Sequence, residues 1–246
     1  MKISAKPART SVQLKVEVQS ALAWLKRNSS ARFRNDMARY GLPSKNAMGV
    51  PMRSIQKLAK LLGRDHDLAI ALWDTGVYEA RILVAYVGEP ERLTPAQMDR
   101  WCRDFDNWGV VDTLCFALFN DSPHAWSRVA PWARAKEEFV RRASFALLAC
   151  LSGPKRNTAD KVFLKYLPLI ERGATDERNF VKKGVSWALR MIGRRNPTHH
   201  TATLAVAHRL ADSVQPGARW VGKDALKDLT RPLVVRRLAS ARSGKK

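Results

Sequence analysis

The chain has 246 residues, 46% of them apolar and 27% charged, enough to bury a sizeable core and too apolar for a disordered polyelectrolyte. Its 44 Lys and Arg outnumber 22 Asp and Glu, and the net charge of +22 directs it to a polyanion, nucleic acid before membrane, because no basic segment carries a long apolar face. No apolar run approaches the ~20 residues of a spanning helix, and three cysteines without CxxC spacing, Cys102, Cys115 and Cys150, fit a reducing cytoplasm rather than a disulfide framework or a metal site.

In chain order, MKISAKPART lacks the apolar segment of a signal peptide, and residues 1–11 read as a basic arm. Val12, Leu14, Val18, Leu22 and Leu25 then fall at helical spacing. A second helix from Ser30 to Tyr40 stops at Gly41 with Pro43 beyond it, and a third opens at Gly49-Val50-Pro51 and runs to Gly63. Beyond that point the pattern repeats. Short helices with clear start signals (His66 to Trp73, Thr94 to Asp106, Ser122 to Arg134, Thr158 to Arg172) each precede a more apolar one, beginning near Val77, Asn107, Glu137 and Asp176. Two further helices, Thr198 to Ala211 and about Trp220 to Ala239, close the pattern, and residues 240–246 read as a basic tail. No segment keeps strand periodicity, so the expectation is an all-α chain of about a dozen helices, with residues 12–239 as a single domain.

The second helices overlay as VYEARILVAY, WGVVDTLCFALF, EFVRRASFALLA and NFVKKGVSWALR. Tyr78, Phe139 and Phe180 each precede a cation by three residues, and in the remaining copy an acid takes the cation's place. The shared position therefore reads Arg81, Asp112, Arg142, Lys183, at separations of 31, 30 and 41 residues. Such spacing is that of stacked helix pairs, none able to bury its apolar face alone, and it predicts a curved α-solenoid with a basic concave face. The cations at this position can track DNA phosphates with a steep salt dependence, and Arg190, Arg194 and Arg195 extend the same end.

Asp112 is the exception among these cations. A carboxylate between Val111 and Leu114 in an apolar helix is either ion-paired, with Arg81 or Arg142 as the available partners, or at work. Trp108 lies one turn before it, and Trp187 one turn after Lys183, so both indoles can face one groove unless they are core residues. One fixed anion and two aromatic faces suffice for glycosidic chemistry on a cationic base: the anion stabilises an oxocarbenium-like sugar and orients water, and no metal or organic cofactor is required. The five histidines have no nucleophile beside them, and Lys183 is the one candidate for a Schiff base.

The same residues carry a resemblance. MARY at 37–40, GVP at 49–51, Trp108-x-x-x-Asp112, Arg142-Ala143, and the W-x-L-R of Trp187 to Arg190 followed by Asn196-Pro197 resemble the AlkD-like DNA alkylation repair glycosylases, a family of HEAT-like helical repeats. The resemblance implies a monofunctional glycosylase that excises cationic N3- and N7-alkylated purines, 3-methyladenine and 7-methylguanine, from double-stranded DNA without flipping the base. It also implies a monomer in the bacterial cytoplasm. Residue by residue it makes Asp112 the catalytic carboxylate, Trp108 and Trp187 the walls against the deoxyribose, Arg142 and Arg190 backbone contacts, and Tyr40 a cleft residue. Asn107 and Gly109 depart from the family pattern, which carries a second Trp and an Asp at these places. Two alternatives stand beside this reading: a relative that binds branched or distorted DNA without cutting it, and a protein-binding scaffold for an acidic partner.

Overall fold

A computed structural model describes residues 10–42, 46–153 and 159–243. Among these residues the fold is all-α, with fifteen α-helices, three short 3-10 turns and no strand. The chain divides into two compact units, Met1–Arg92 and Leu93–Lys246.

The first unit holds α1 (Ser11–Arg27), α2 (Ala31–Met37), α3 (Met52–Leu62), α4 (His66–Trp73) and α5 (Tyr78–Val87). Side-chain caps begin three of them: Thr10 closes a capping box with Gln13, Ser30 accepts from the Phe33 N–H, and Asp65 accepts from the Leu68 N–H. Such caps satisfy donors that the first helical turn leaves open. Between α2 and α3 the Gly-Val-Pro stretch turns sharply. Gly49 sits at φ +80°, where a Cβ would strike the Ser30 carbonyl and Arg34, so only glycine fits. The fully buried Glu79 carboxylate on α5 holds this turn, accepting from the N–H groups of Met48, Gly49 (2.7 Å) and Val50. Tyr40 ends the 3-10 turn that continues α2 and is 69% exposed, while Arg81 on α5 lies 4.9 Å from the Trp73 ring centroid.

The second unit runs from α6 (Pro95–Arg103) and α7 (Trp108–Ala117) through α8 (Ala125–Ala133) and α9 (Glu138–Leu151) to α10 (Asp160–Leu164) and α11 (Leu167–Ala174), then continues with α12 (Asn179–Gly193), α13 (Pro197–Ala211), α14 (Pro216–Leu229) and α15 (Pro232–Ser243). α9 is its centre and packs against α7, α8 and α12. Its tail from Ala143 to Leu151 is buried on every side, which is why the sequence there is apolar all round rather than amphipathic. α12 in turn packs against α13 and α14, and Gly222 lets α14 close on α13, since a Cβ there would meet the Ala207 carbonyl and the Ala211 N–H. Asp176 ties α9 to the turn before α12. Burial would raise its carboxyl, but hydrogen bonds from Arg178 and Arg141 outweigh that and hold it at about 2.

The expected dozen or so helices become fifteen among the described residues because two segments are each divided. The segment Thr158 to Arg172 is broken into α10 and α11, the second restarting with Pro168 in its first turn. The segment Trp220 to Ala239 is likewise two helices. α14 begins at Pro216 and ends at Leu229, and Pro232, which cannot donate to the preceding turn, opens α15. α15 runs to Ser243, into the stretch expected to be tail, whereas residues 1–9 of the expected arm lie outside the described residues. The second helices of the repeats begin where the overlay puts them, with N-caps at Val77, Asn107, Glu137 and Arg178.

Candidate active site

α7 starts at Trp108 because Asn107 caps it. The buried Asn107 accepts at Oδ1 from the Val110 N–H at 2.9 Å, and its Nδ2 donates to the exposed Asp106 at 2.7 Å. Asn107, one of the two residues at which the resemblance noted in the sequence breaks down, is therefore the one that sets the register of the helix. Trp108 falls on its first position, half-buried, and Asp112 one turn later.

Asp112 meets Arg142 from α9 in a two-pronged ion pair. Arg142 Nε donates to Oδ1 at 3.0 Å and Nη2 to Oδ2 at 2.7 Å. The third arm of the guanidinium, Nη1, donates to the Phe180 carbonyl of α12 at 2.8 Å, so one side chain joins three helices. Arg142 is 8% exposed and Asp112 23%. Of the two partners open to Asp112 in the sequence, Arg142 takes the place. Burial pushes the Asp112 carboxyl above the ordinary aspartate value, while the charge and hydrogen bonds of Arg142 pull it back. Two of the aromatic residues that precede a cation, Phe139 and Phe180, touch each other, with ring centroids 5.3 Å apart.

The pair opens into a cleft of about 490 Å³ whose walls come from α7, α9, α12 and α14. Asp112, Arg142, Lys183, Trp187, Arg190 and Arg194 all line it. Six of the ten residues singled out in the sequence thus share one cleft. Trp108 is not among its lining residues, and Tyr40 and Arg81 belong to the first unit. Arg142 is spent on Asp112 and Phe180 instead of reaching outward, whereas Lys183 is exposed. Arg195 is turned inward: its guanidinium covers the Phe163 ring at 4.0 Å and donates to the carbonyls of Ser152 and Gly153.

Three residues of the lining were not singled out in the sequence: Met191, Trp220 and Asp224. Trp220 and Asp224 stand four apart on α14, the same Trp-x-x-x-Asp spacing as Trp108 and Asp112, and that repeated spacing was the available signal. Asp224 adds a second acid to the cleft, outside the overlaid position that Asp112 shares with Arg81, Arg142 and Lys183. Arg190 Nε lies 3.7 Å from Asp224, and Arg194 forks onto the buried Asp228, with Nε to Oδ2 at 3.0 Å. The cations at this end carry counter-charges from α14 that are invisible in an overlay of the second helices. Among the described residues no three His, Cys, Asp or Glu side chains come together to hold a metal ion.

A family model for DNA alkylation repair enzymes matches residues 21–229. The chain belongs to the DNA alkylation repair enzyme family. Membership agrees with the resemblance carried by the Trp108-x-x-x-Asp112 and Trp187 motifs. The fold of this alkylation repair family member also matches a solved structure described as from a new family of proteins related to the HEAT-like repeat DNA glycosylases with affinity for branched DNA structures. That match has a TM-score of 0.71 over 85% of this chain and 94% of the other, at 15% identity. The fold is thus that of HEAT-like repeats. A designed armadillo repeat protein in complex with the peptide (KR)4 covers 88% of the chain and 87% of its own, but at a TM-score of 0.39 and 11% identity it bears on nothing further. No curated protein sequence matches the chain significantly. No helix among the described residues is long and apolar enough to cross a membrane.

Proposed function

We propose that this protein is a monofunctional DNA glycosylase that hydrolyses the N-glycosidic bond of cationic N3- and N7-alkylated purines, leaving an abasic site. The observation that carries the reading is a carboxylate locked by a guanidinium at the wall of an open cleft, with Trp187 and the exposed Lys183 on the next helix of the same wall. Alkylation at N3 or N7 puts a positive charge on the purine, so the base departs neutral and needs little help from an acid. What needs help is the sugar, which takes up positive charge as the bond stretches.

A preorganised anion in a partly dry cleft stabilises that charge without having to reorient. Arg142 supplies the preorganisation: gripping both oxygens of Asp112, it leaves the carboxylate one position and offsets part of the effect of burial on its carboxyl. We assign Arg142 to positioning rather than to the DNA backbone. The indole of Trp187 offers the cationic sugar an electron-rich face, and Trp108 sits at the head of the helix that carries Asp112. Lys183, Arg190 and Arg194 line the phosphate path, and Arg81 and Tyr40 are DNA contacts on the first unit. A cleft open to solvent fits chemistry on a base that is not extruded into an enclosed pocket.

The test is release of 7-methylguanine or 3-methyladenine from methylated duplex DNA by the purified chain. The wild type is expected to release free base, and Asp112→Asn to lose about 10²–10³-fold in rate, the cost of removing one preorganised electrostatic group. Intact protein that binds the duplex but releases neither base rejects excision. It would favour the second reading, a DNA-binding relative without catalysis, which is also the property described for the structurally similar family with affinity for branched DNA.

A further inference from the structure

The cleft holds two carboxylates in different states. Both oxygens of Asp112 accept charge-assisted hydrogen bonds from one guanidinium, at 3.0 and 2.7 Å. A carboxylate gripped in this way is a fixed anion: burial raises its carboxyl, but both of its oxygens are already engaged by Arg142. Asp224 is held differently. Its Oδ2 accepts from the buried Ser186 hydroxyl of α12 at 2.5 Å and lies 3.7 Å from Arg190 Nε. No hydrogen bond among the described residues reaches its Oδ1, and the side chain is 35% exposed on the cleft wall. Trp220, one turn before it on α14, lines the same wall and has Lys182 Nζ 5.2 Å from its ring centroid.

We propose that Asp224 is the general base of the hydrolysis, taking the proton of the attacking water, while Asp112 acts as the fixed anion opposite the sugar. The assignment rests on the glycosylase reading above and divides one job between two groups. Water oxygen bonds to C1′ of the deoxyribose as the C1′–N bond breaks. The electron pair of that bond goes to the purine nitrogen and cancels its positive charge, and one water proton passes to Asp224 Oδ1. The products are the neutral alkylpurine, an abasic sugar and a protonated Asp224, which returns its proton to bulk water. Two carboxylates whose surroundings set them to different tasks is a recurring solution in glycoside chemistry. Ser186 and Arg190 both lie on the Oδ2 side of Asp224, which orients the carboxylate and leaves the other oxygen to meet water.

Single-turnover excision of 7-methylguanine from methylated duplex is measured with the full chain as wild type, Asp224→Asn, Asp224→Glu and Asp224→Ala, alongside duplex affinity. Asp224→Asn keeps the Ser186 hydrogen bond and is expected to lose about 10²-fold in rate, with duplex affinity within about twofold of wild type, since the base acts after binding. Added formate is expected to restore part of the rate to Asp224→Ala by occupying the vacated space, and Asp224→Glu to retain part of it. A role as mere counter-charge to Arg190 predicts the opposite pattern: altered duplex affinity, little change in single-turnover rate and no response to formate. That pattern overturns the assignment. Wild-type excision with an unimpaired Asp224→Asn rejects only this inference, whereas a wild type that excises nothing rejects the glycosylase reading with it.

Discussion

Arg142 is the residue on which the candidate site depends most. It bonds two helices besides its own, through Asp112 and the Phe180 carbonyl, and is itself almost fully buried. Breaking a buried pair by removing one partner costs about 3–5 kcal/mol, because the charge left behind is uncompensated. Arg142→Gln is therefore expected to lose roughly that much in urea denaturation. Its excision should also fail at a higher pH than that of wild type. The sign follows from the two opposing influences on Asp112: burial raises its carboxyl, Arg142 lowers it, and without Arg142 only the raising effect remains. Excision needs the ionised form, so the acid limb of the pH–rate profile moves upward. Arg142→Lys keeps the charge but not the fork, and should recover stability better than rate. An acid limb unmoved in Arg142→Gln would reject Asp112 as the working anion.

At the scale of the element, α7 shows how a local signal places a distant function. Asn107 decides where the helix begins, and thereby that Trp108 and Asp112 share a face one turn apart. Asn107→Ala should cost about 1 kcal/mol, while Asn107→Ser or Asn107→Asp should cost a few tenths, since each keeps an oxygen for the Val110 N–H. Thermal denaturation reads the difference. Equal loss in all three would mean that the bond to Asp106, not the cap, is what matters. The broken helices teach the complementary point. Apolar periodicity ran unbroken through Thr158 to Arg172 and Trp220 to Ala239, and the prolines at 168 and 232 divided both, because a proline lacks the N–H that the previous turn would bond.

For the whole molecule, a net charge of +22 overstates the cations free to meet DNA. Many arginines already have partners: Arg128 with Asp99, Arg141 and Arg178 with Asp176, Arg194 with Asp228, Arg209 with Glu171. If some four to six cations remain to neutralise phosphates, duplex affinity should fall by about 10²–10³-fold between 50 and 200 mM salt, from a slope near −0.9 per phosphate. Fluorescence anisotropy with undamaged duplex measures this slope. A flat salt response would reject a phosphate-lined surface and favour an acidic protein partner.

The sequence by itself determined the helical class, the register of the second helices and the gathering of Asp112, Arg142, Lys183, Trp187, Arg190 and Arg194. These are set by periodicity and caps, which act within a turn or two of chain and repeat from one helix pair to the next. Only the tertiary structure decided that Asp112 pairs with Arg142, that Arg195 turns inward onto Phe163, and that α14 brings Trp220 and a second carboxylate to the cleft. Each of these depends on how far one side chain reaches across a packed helix interface. That distance is settled by close packing between elements far apart in the chain, and no local pattern records it.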